Sequence, residues 1–119
     1  MMQSVSSVRA VAPIFDVRDL DVARAHYERL GFTVRAWEGG ATYGFATRDD
    51  VELHLGVVPA ERTTRSAAYL FVDDADALAT TWVAAGVEVH PPVDTEWGMR
   101  EGAVVDPDDN VIRFGSPLP

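Results

Sequence analysis

The sequence repeats itself, and this internal repeat restricts the possible folds more than any other feature. When the chain is shifted by 55 positions, Val17–Asp21 lies over Val72–Asp76 and Gly31 lies over Gly86 without a gap. Each copy reads as an apolar strand, an Asp suited to cap a helix, about three helical turns, a terminating Gly and a second strand. Two such copies predict two equivalent supersecondary units that stack on each other.

A hairpin of two further strands follows each copy, joined by a short polar turn. In these hairpins the shift becomes 59 positions, which places His54 over Arg113. The first unit is predicted as strand 8–17, helix 20–30, strand 32–38 and hairpin strands 41–47 and 51–57. The second unit is predicted as strand 67–72, helix 75–85, strand 87–93 and hairpin strands 100–105 and 111–114.

These units predict an α+β fold of two βαβββ modules, at about 8–58 and 67–115, in a single domain that covers residues 1–119. Each helix covers one face of a curved, partly barrel-like sheet, and the other face stays hollow. Period-two alternation puts Glu52, His54, Tyr69 and Arg113 on the hollow face. Tyr27 and Trp82 are expected in the core, whereas His26 and His90 are expected at the surface.

Composition excludes several classes of function. Nineteen acidic residues against ten basic ones give a net charge of −9, which argues against nucleic acid and anionic membranes as partners. The ten basic residues are all Arg and Cys is absent, so Schiff-base and thiolate chemistry are excluded. The first residues do not resemble a signal peptide, and no apolar run of about 18 residues occurs, so a cytoplasmic protein is expected.

Two segments, DVRDLDVARAHYERLGF at 16–32 and WGMREGAVVDPDDNVIRF at 97–114, resemble the vicinal oxygen chelate superfamily. This superfamily contains glyoxalase I, extradiol dioxygenases, fosfomycin-resistance enzymes and bleomycin resistance proteins. The resemblance extends from about Val8 to Gly115 and implies the glyoxalase/bleomycin resistance fold. One fold hosts both metal enzymes and metal-free binding proteins, so function depends on the site residues.

The resemblance implies that metal-dependent members take their ligands from the first, fourth, fifth and eighth strands. The matching positions here are Ala12, His54, Ala67 and Arg113. Alanine has no donor atom and Arg is a permanent cation, so only His54 is a possible ligand. We therefore expect no metal, no cofactor and no catalytic residues.

The remaining resemblance is to the bleomycin resistance branch, which implies an antibiotic-binding, antibiotic resistance protein that does not transform its ligand. An aromatic, cationic ligand requires aromatic faces and carboxylates. The candidate carboxylates are Asp16, Glu52, Glu96 and Glu101. The predicted ligand-binding residues are Trp37, Tyr43, Phe45, Glu52, His54, Tyr69, Trp97, Glu101 and Arg113. Arg113 is expected to pair with Glu52 across the cavity in preference to binding an anion.

The same resemblance implies a homodimer with the ligand in a groove at the dimer interface, and an N-terminal arm exchanged at Pro13. The chain departs from the family pattern at two positions. Asp109 replaces a turn Gly and must adopt a left-handed φ, and Gly102 replaces an aromatic residue, which is expected to enlarge the pocket or re-aim its floor. Two alternatives stay open: a divalent-metal lyase or dioxygenase that uses His54, and an immunity or accessory protein for another natural product.

Overall fold

The computed structural model describes residues 5–119, and it contains two consecutive βαβββ modules. The first module consists of β1 (Ile14–Val17), α1 (Leu20–Arg29), β2 (Thr33–Ala36), β3 (Tyr43–Arg48) and β4 (Val51–Val57). The second consists of β5 (Ala67–Phe71), α2 (Ala75–Ala84), β6 (His90–Asp94), β7 (Met99–Val105) and β8 (Val111–Pro117). One-turn 3-10 helices lie at Trp37–Gly39 and Ala60–Arg62.

Each module forms one four-stranded mixed sheet, and the two sheets have the same topology. The strand orders are β1-β4-β3-β2 and β5-β8-β7-β6, with the first pair parallel and the other pairs antiparallel. In the parallel pairs, Ile14 lies beside His54 and Tyr69 lies beside Arg113. The sheets are curved and do not close into a barrel, which confirms the predicted fold class.

The two modules meet on their helix-covered sides, where their buried side chains form one core. Tyr27 and Trp82 are 0% and 1% exposed, as expected from the helix periodicity. The indole Nε1 of Trp82 donates to the carbonyl oxygen of Leu30 at 3.0 Å, and Arg48 donates to the same oxygen at 2.6 Å. A side chain of the second module therefore satisfies an orphan carbonyl at the C-terminal end of the first module's helix.

Residues 8–13 do not form the predicted strand. Val8 and Val11 are 95% and 90% exposed, and the ladder begins where the His54 amide donates to the Pro13 carbonyl. Because β4 starts at Val51, its parallel register offers no partner to residues before Val11. Proline also lacks the N–H that a continued ladder would use. Segment 5–13, exposed over residues 5–11, is called the arm.

Two other expectations about single positions differ from the structure. Gly102 lies on the covered face, where an added Cβ would be 2.7 Å from the Phe114 ring and 2.8 Å from the His90 carbonyl oxygen, so it does not form a pocket floor. His26 is partly buried because α1 packs at the module junction, and its Nε2 atom is buried without a hydrogen-bond partner among the described residues. Asp109 has φ of +67°, which confirms the left-handed turn.

Candidate functional site

Four of the predicted residues form one aromatic and acidic cluster on the open face of the first sheet. Antiparallel pairing places Phe45 beside His54, and Tyr43 and Glu52 follow on the same face. The ring centroids of Tyr43, Phe45 and His54 lie 5.0–5.5 Å apart in edge-to-face geometry. We call Tyr43, Phe45, Glu52 and His54 the first face.

A chain of hydrogen bonds runs through the first face. The Tyr43 hydroxyl lies 2.9 Å from Nδ1 of His54, and Nε2 of His54 lies 2.9 Å from Oε2 of Glu52. An ionised carboxylate accepts only, so with a neutral imidazole the proton sits on Nε2 and Nδ1 accepts from the hydroxyl. The side chains of His54 and Glu52 are 21% and 50% exposed, so the acidic end of the chain reaches the surface.

Arg35 also belongs to this face, although it was not among the residues predicted for the site. Its guanidinium carbon lies 4.5 Å from the centroid of the Phe45 ring, a cation–π contact. The register of β2 pairs Arg35 with Phe45. Alternation along β2 was a usable signal, because Thr33 and Arg35 occupy the polar positions of a half-covered strand.

Three more predicted residues lie on the open face of the second sheet. Tyr69 and Arg113 are neighbours in the parallel pair, and Glu101 is one register step away on β7. The Arg113 guanidinium lies 3.3 Å from Glu101, not beside Glu52 as predicted. The prediction was wrong because Glu101 is on the adjacent strand of the same sheet, whereas Glu52 is on the other sheet. We call Tyr69, Glu101 and Arg113, with the adjoining Phe71, the second face.

Tyr69 and Phe71 give the second face its apolar surface. Their ring centroids lie 5.0 Å apart, and Phe71 is 82% exposed, an unusual exposure for a large apolar side chain. The Tyr69 hydroxyl lies over Gly115, where any side chain would collide with it. Burial of the hydroxyl, followed by the nearby Glu101 carboxylate, raises the pKa of Tyr69. The phenol therefore stays neutral near pH 7.

The two remaining predicted residues are exposed indoles outside the strands. Trp37 follows β2 in a 3-10 turn and is 52% exposed, and Trp97 lies in the β6–β7 turn and is 66% exposed. Gly98, with φ of +86°, shapes the second turn. The structure thus brings the predicted residues together as two clusters and two separate indoles, and does not form a single pocket within the chain.

The positions at which the family resemblance implies metal ligands do not suit a metal here. Both ring nitrogens of His54 already have hydrogen-bond partners, Tyr43 and Glu52. The side chains of Ala12 and Ala67 have no atom that could bind a metal. Arg113 is a cation, and its neighbour on β5 is Tyr69. Across residues 5–119, no three His, Cys, Asp or Glu side chains come together as a cation site. The donor set does not fit a catalytic divalent ion.

A cleft of about 550 Å³ lies at the junction of the modules, and Phe71 of the second face is among the residues that line it. The β3–β4 turn, the end of β5 and the first turns of α2 line it. None of the nine predicted site residues contributes to this cleft. Within the described part of the chain, neither helix is long and apolar enough to cross a membrane.

The fold and the two faces define a class: proteins built from two βαβββ modules that each leave one sheet face open. A family model described as the glyoxalase/bleomycin resistance protein/dioxygenase superfamily matches residues 13–114. The chain belongs to this superfamily.

Similar proteins point to one branch of the superfamily. A bleomycin resistance protein from Klebsiella pneumoniae is 29% identical over 112 residues, which is 86% of this chain and 87% of that protein. The structure of a bleomycin-binding protein complexed with bleomycin superimposes with a TM-score of 0.78 at 27% identity, over 92% of this chain and 98% of that one. The bleomycin-binding protein from bleomycin-producing Streptomyces verticillus, complexed with copper(II)-bleomycin, gives 0.77 at 25% identity, over 94% and 98%.

Proposed function

We propose that this protein is a metal-independent antibiotic-binding protein of the bleomycin resistance type, which sequesters an aromatic, cationic ligand without transforming it. The observation that carries the proposal is the identity of the residues at the positions where the family resemblance implies metal ligands, because three of the four cannot bind a metal. Ala12 and Ala67 stand where donors are needed, and Arg113 would repel a metal cation. The similarity to bleomycin-binding proteins supports the same conclusion.

The residues of the two faces suit such a ligand. Flat heteroaromatic groups stack on aromatic rings, which the partly buried Phe45 and Tyr69 and the exposed Phe71 provide. A cationic group is attracted by the carboxylates and by the electron-rich ring faces. The two exposed indoles, Trp37 and Trp97, offer further stacking surfaces at the ends of β2 and β6.

The proposed site is a groove between the first face of one copy and the second face of another copy in a homodimer. The hydrogen bonds and ring contacts of each face stay within its own module, so a ligand on one face has no second wall in the same chain. A second copy supplies that wall. The exposed apolar side chains of the arm, with Pro13 at its base, suit exchange between the two copies.

Titration of the intrinsic tryptophan fluorescence with bleomycin tests this function. We expect saturable quenching with a dissociation constant of about 1 µM or below, because Trp37 and Trp97 are exposed at the groove ends. Thermal unfolding at about 100 times the dissociation constant should show about 2.7 kcal/mol of added stability. A folded protein that shows neither response at about 100 µM bleomycin would contradict the proposal.

A further inference from the structure

Four carboxylates were candidates for attracting a cationic ligand, and the structure separates them. Oδ2 of Asp16 accepts from the amide and the hydroxyl of Thr64 at 3.0 and 2.9 Å. Glu101 is only 11% exposed and is paired with Arg113. Glu96 lies in the turn between β6 and β7, outside both faces. Glu52 is half exposed, and His54 is its hydrogen-bond partner.

The hydrogen bonds of the first face run in one direction. With a neutral imidazole, the Tyr43 hydroxyl donates to Nδ1 of His54 and Nε2 of His54 donates to Glu52, so both protons are engaged. The second carboxylate oxygen of Glu52 and the remaining lone pair on the Tyr43 oxygen are left to interact with a ligand, and both are hydrogen-bond acceptors. A ligand group that contacts the polar part of the cluster must therefore be a donor. A cation is favoured over a neutral donor because a charged donor makes the stronger hydrogen bond to a carboxylate.

The equivalent position in the second module has the opposite character. The repeat places Arg113 where the first module has His54, and the Arg113 side chain is 58% exposed. A guanidinium donates only and repels a ligand cation. On the first face the Arg35 guanidinium lies over the Phe45 ring, so the two faces of one groove would orient a ligand with its positive group toward Glu52.

We propose that Glu52 binds the cationic group of the ligand, and that His54 and Tyr43 are positioning residues that hold Glu52 and fix the cluster as an acceptor. This assignment rests on the proposed function and names the residue that selects for charge. Its consequence is selectivity: the first face distinguishes a ligand that carries a positive group from the same ligand without one.

The test compares two probes, a bleomycin whose terminal amine is positively charged and the corresponding neutral primary amide that lacks the amine. Glu52→Gln should weaken binding of the cationic form about tenfold or more, because the attraction between the carboxylate and the ligand cation is lost, and should change binding of the amide less than about threefold. Glu88→Gln is the matched control, since it removes the same charge from an exposed position outside both faces. It should change neither affinity more than about twofold.

The outcomes separate this assignment from the proposed function. Equal affinity changes for both probes in Glu52→Gln, or none, would overturn the role of Glu52 while leaving the function intact. Binding of neither probe to the folded wild-type protein would overturn the proposed function and this assignment with it. Circular dichroism confirms that each variant is folded.

The positioning role has its own readouts. His54→Phe keeps an aromatic ring and removes both hydrogen bonds, so it should reduce the preference for the cationic probe at least about threefold. Nitrogen NMR of wild-type His54 at pH 8 should show the tautomer protonated on Nε2, and Glu52→Gln should relax this preference. A wild-type His54 protonated on Nδ1, or an unchanged probe preference in His54→Phe, would overturn the positioning role.

Discussion

Asp106 shows how one buried carboxylate joins the two modules. Its Oδ1 accepts from the amides of Asp108 and Asn110, and its Oδ2 accepts from the Asn110 side chain and from the Tyr27 hydroxyl at 2.8 Å. Asn110 also donates to the Asp16 carbonyl in the first module. Burial, followed by the charge of Asp106, raises the pKa of Tyr27. The polar turn of the second hairpin is therefore part of the module junction.

Tyr27→Phe removes one donor from a buried carboxylate and leaves the ring packing intact. We expect a loss of about 1–3 kcal/mol in the free energy of unfolding. Tyr43→Phe is the matched control, because its hydroxyl bonds to His54 on the open face. Urea denaturation measures both variants. A smaller loss for Tyr27→Phe than for Tyr43→Phe would contradict the role of Asp106.

His26 should make stability depend on pH. Burial lowers the pKa of His26 below its usual value, an effect opposed by Asp106 and reinforced by Arg29. Protonation of His26 therefore favours the unfolded chain. The stability that the neutral imidazole contributes is fully present above the unfolded pKa of about 6.5 and is lost as the pH falls through the folded pKa. His26→Gln should show a smaller loss of stability between pH 7 and pH 5 than wild type. His90→Gln, at an exposed position, should follow wild type, and identical slopes for all three proteins would refute the assignment.

The conformation or orientation of a single residue was predictable from the sequence where it depends only on the local backbone. The left-handed φ of Asp109 followed from its place in a turn, and the face of His54 followed from alternation. The sequence did not show that Arg113 pairs with Glu101, because this contact depends on which strand lies beside β8. The collision that requires Gly102 also depends on β6 and β8, which pack around it in space.

At the scale of elements, the two helices begin in the same way. Asp19 accepts from the amides of Asp21 and Val22, and Asp74 accepts from the amide of Ala77. Both caps have extended backbone geometry, and each helix places an acidic residue in its first turn. The repeat therefore preserves the signals that start each helix.

Asp19→Ala and Asp74→Ala should each lower the free energy of unfolding by about 1 kcal/mol, because each removes an N-cap acceptor. Asp19 caps two amides and Asp74 caps one, so the Asp19 variant should lose at least as much stability. Asp50→Ala, in the exposed β3–β4 turn, controls for the loss of one negative charge. Losses equal to that of the control would show that neither cap stabilises its helix.

The order of the helices and strands was predictable from the sequence, whereas the residues at which the strands begin and end were less so. The caps and the glycines defined both helices to within a residue at each end. The first strand was overextended because apolar Val8 and Val11 fit the strand pattern, although they have no neighbour within the chain. In β6, Pro91 and Pro92 interrupt the ladder, and the register shifts between His90 and Val93. A sequence pattern does not show which of these residues find partners.

The whole molecule is less compact than a typical domain of its length. Its radius of gyration is 16.1 Å, whereas a compact chain of this length has about 13.5 Å. Its extents are 47 × 46 × 25 Å, so it is a flat body with two outward-facing sheets. The arm and Phe71 add exposed apolar surface. These features are the reason for proposing that a second copy completes the groove.

The arm gives a prediction for the proposed dimer. Val8→Asp combined with Val11→Asp should raise the dimer dissociation constant at least about tenfold, because both side chains would enter an apolar contact as charges. A monomer in which both residues stay exposed would tolerate the change. Val83→Asp, at a 60% exposed position on α2, is the control. Sedimentation equilibrium measures the constant, and identical behaviour of the arm variant and wild type would argue against arm exchange.

The most direct test of the central claim, a groove shared by two copies, is complementation between two variants that do not bind. Phe45→Ala disables the first face and Tyr69→Ala disables the second, and each alone should lose bleomycin binding. After the subunits are exchanged, half of the dimers are mixed, and each mixed dimer contains one intact groove. Titration should then recover about a quarter of the wild-type binding capacity, whereas a mixture of Phe45→Ala and Tyr43→Ala should recover none. No recovery in the first mixture, with mixed dimers present, would contradict the shared groove and place each site within one chain.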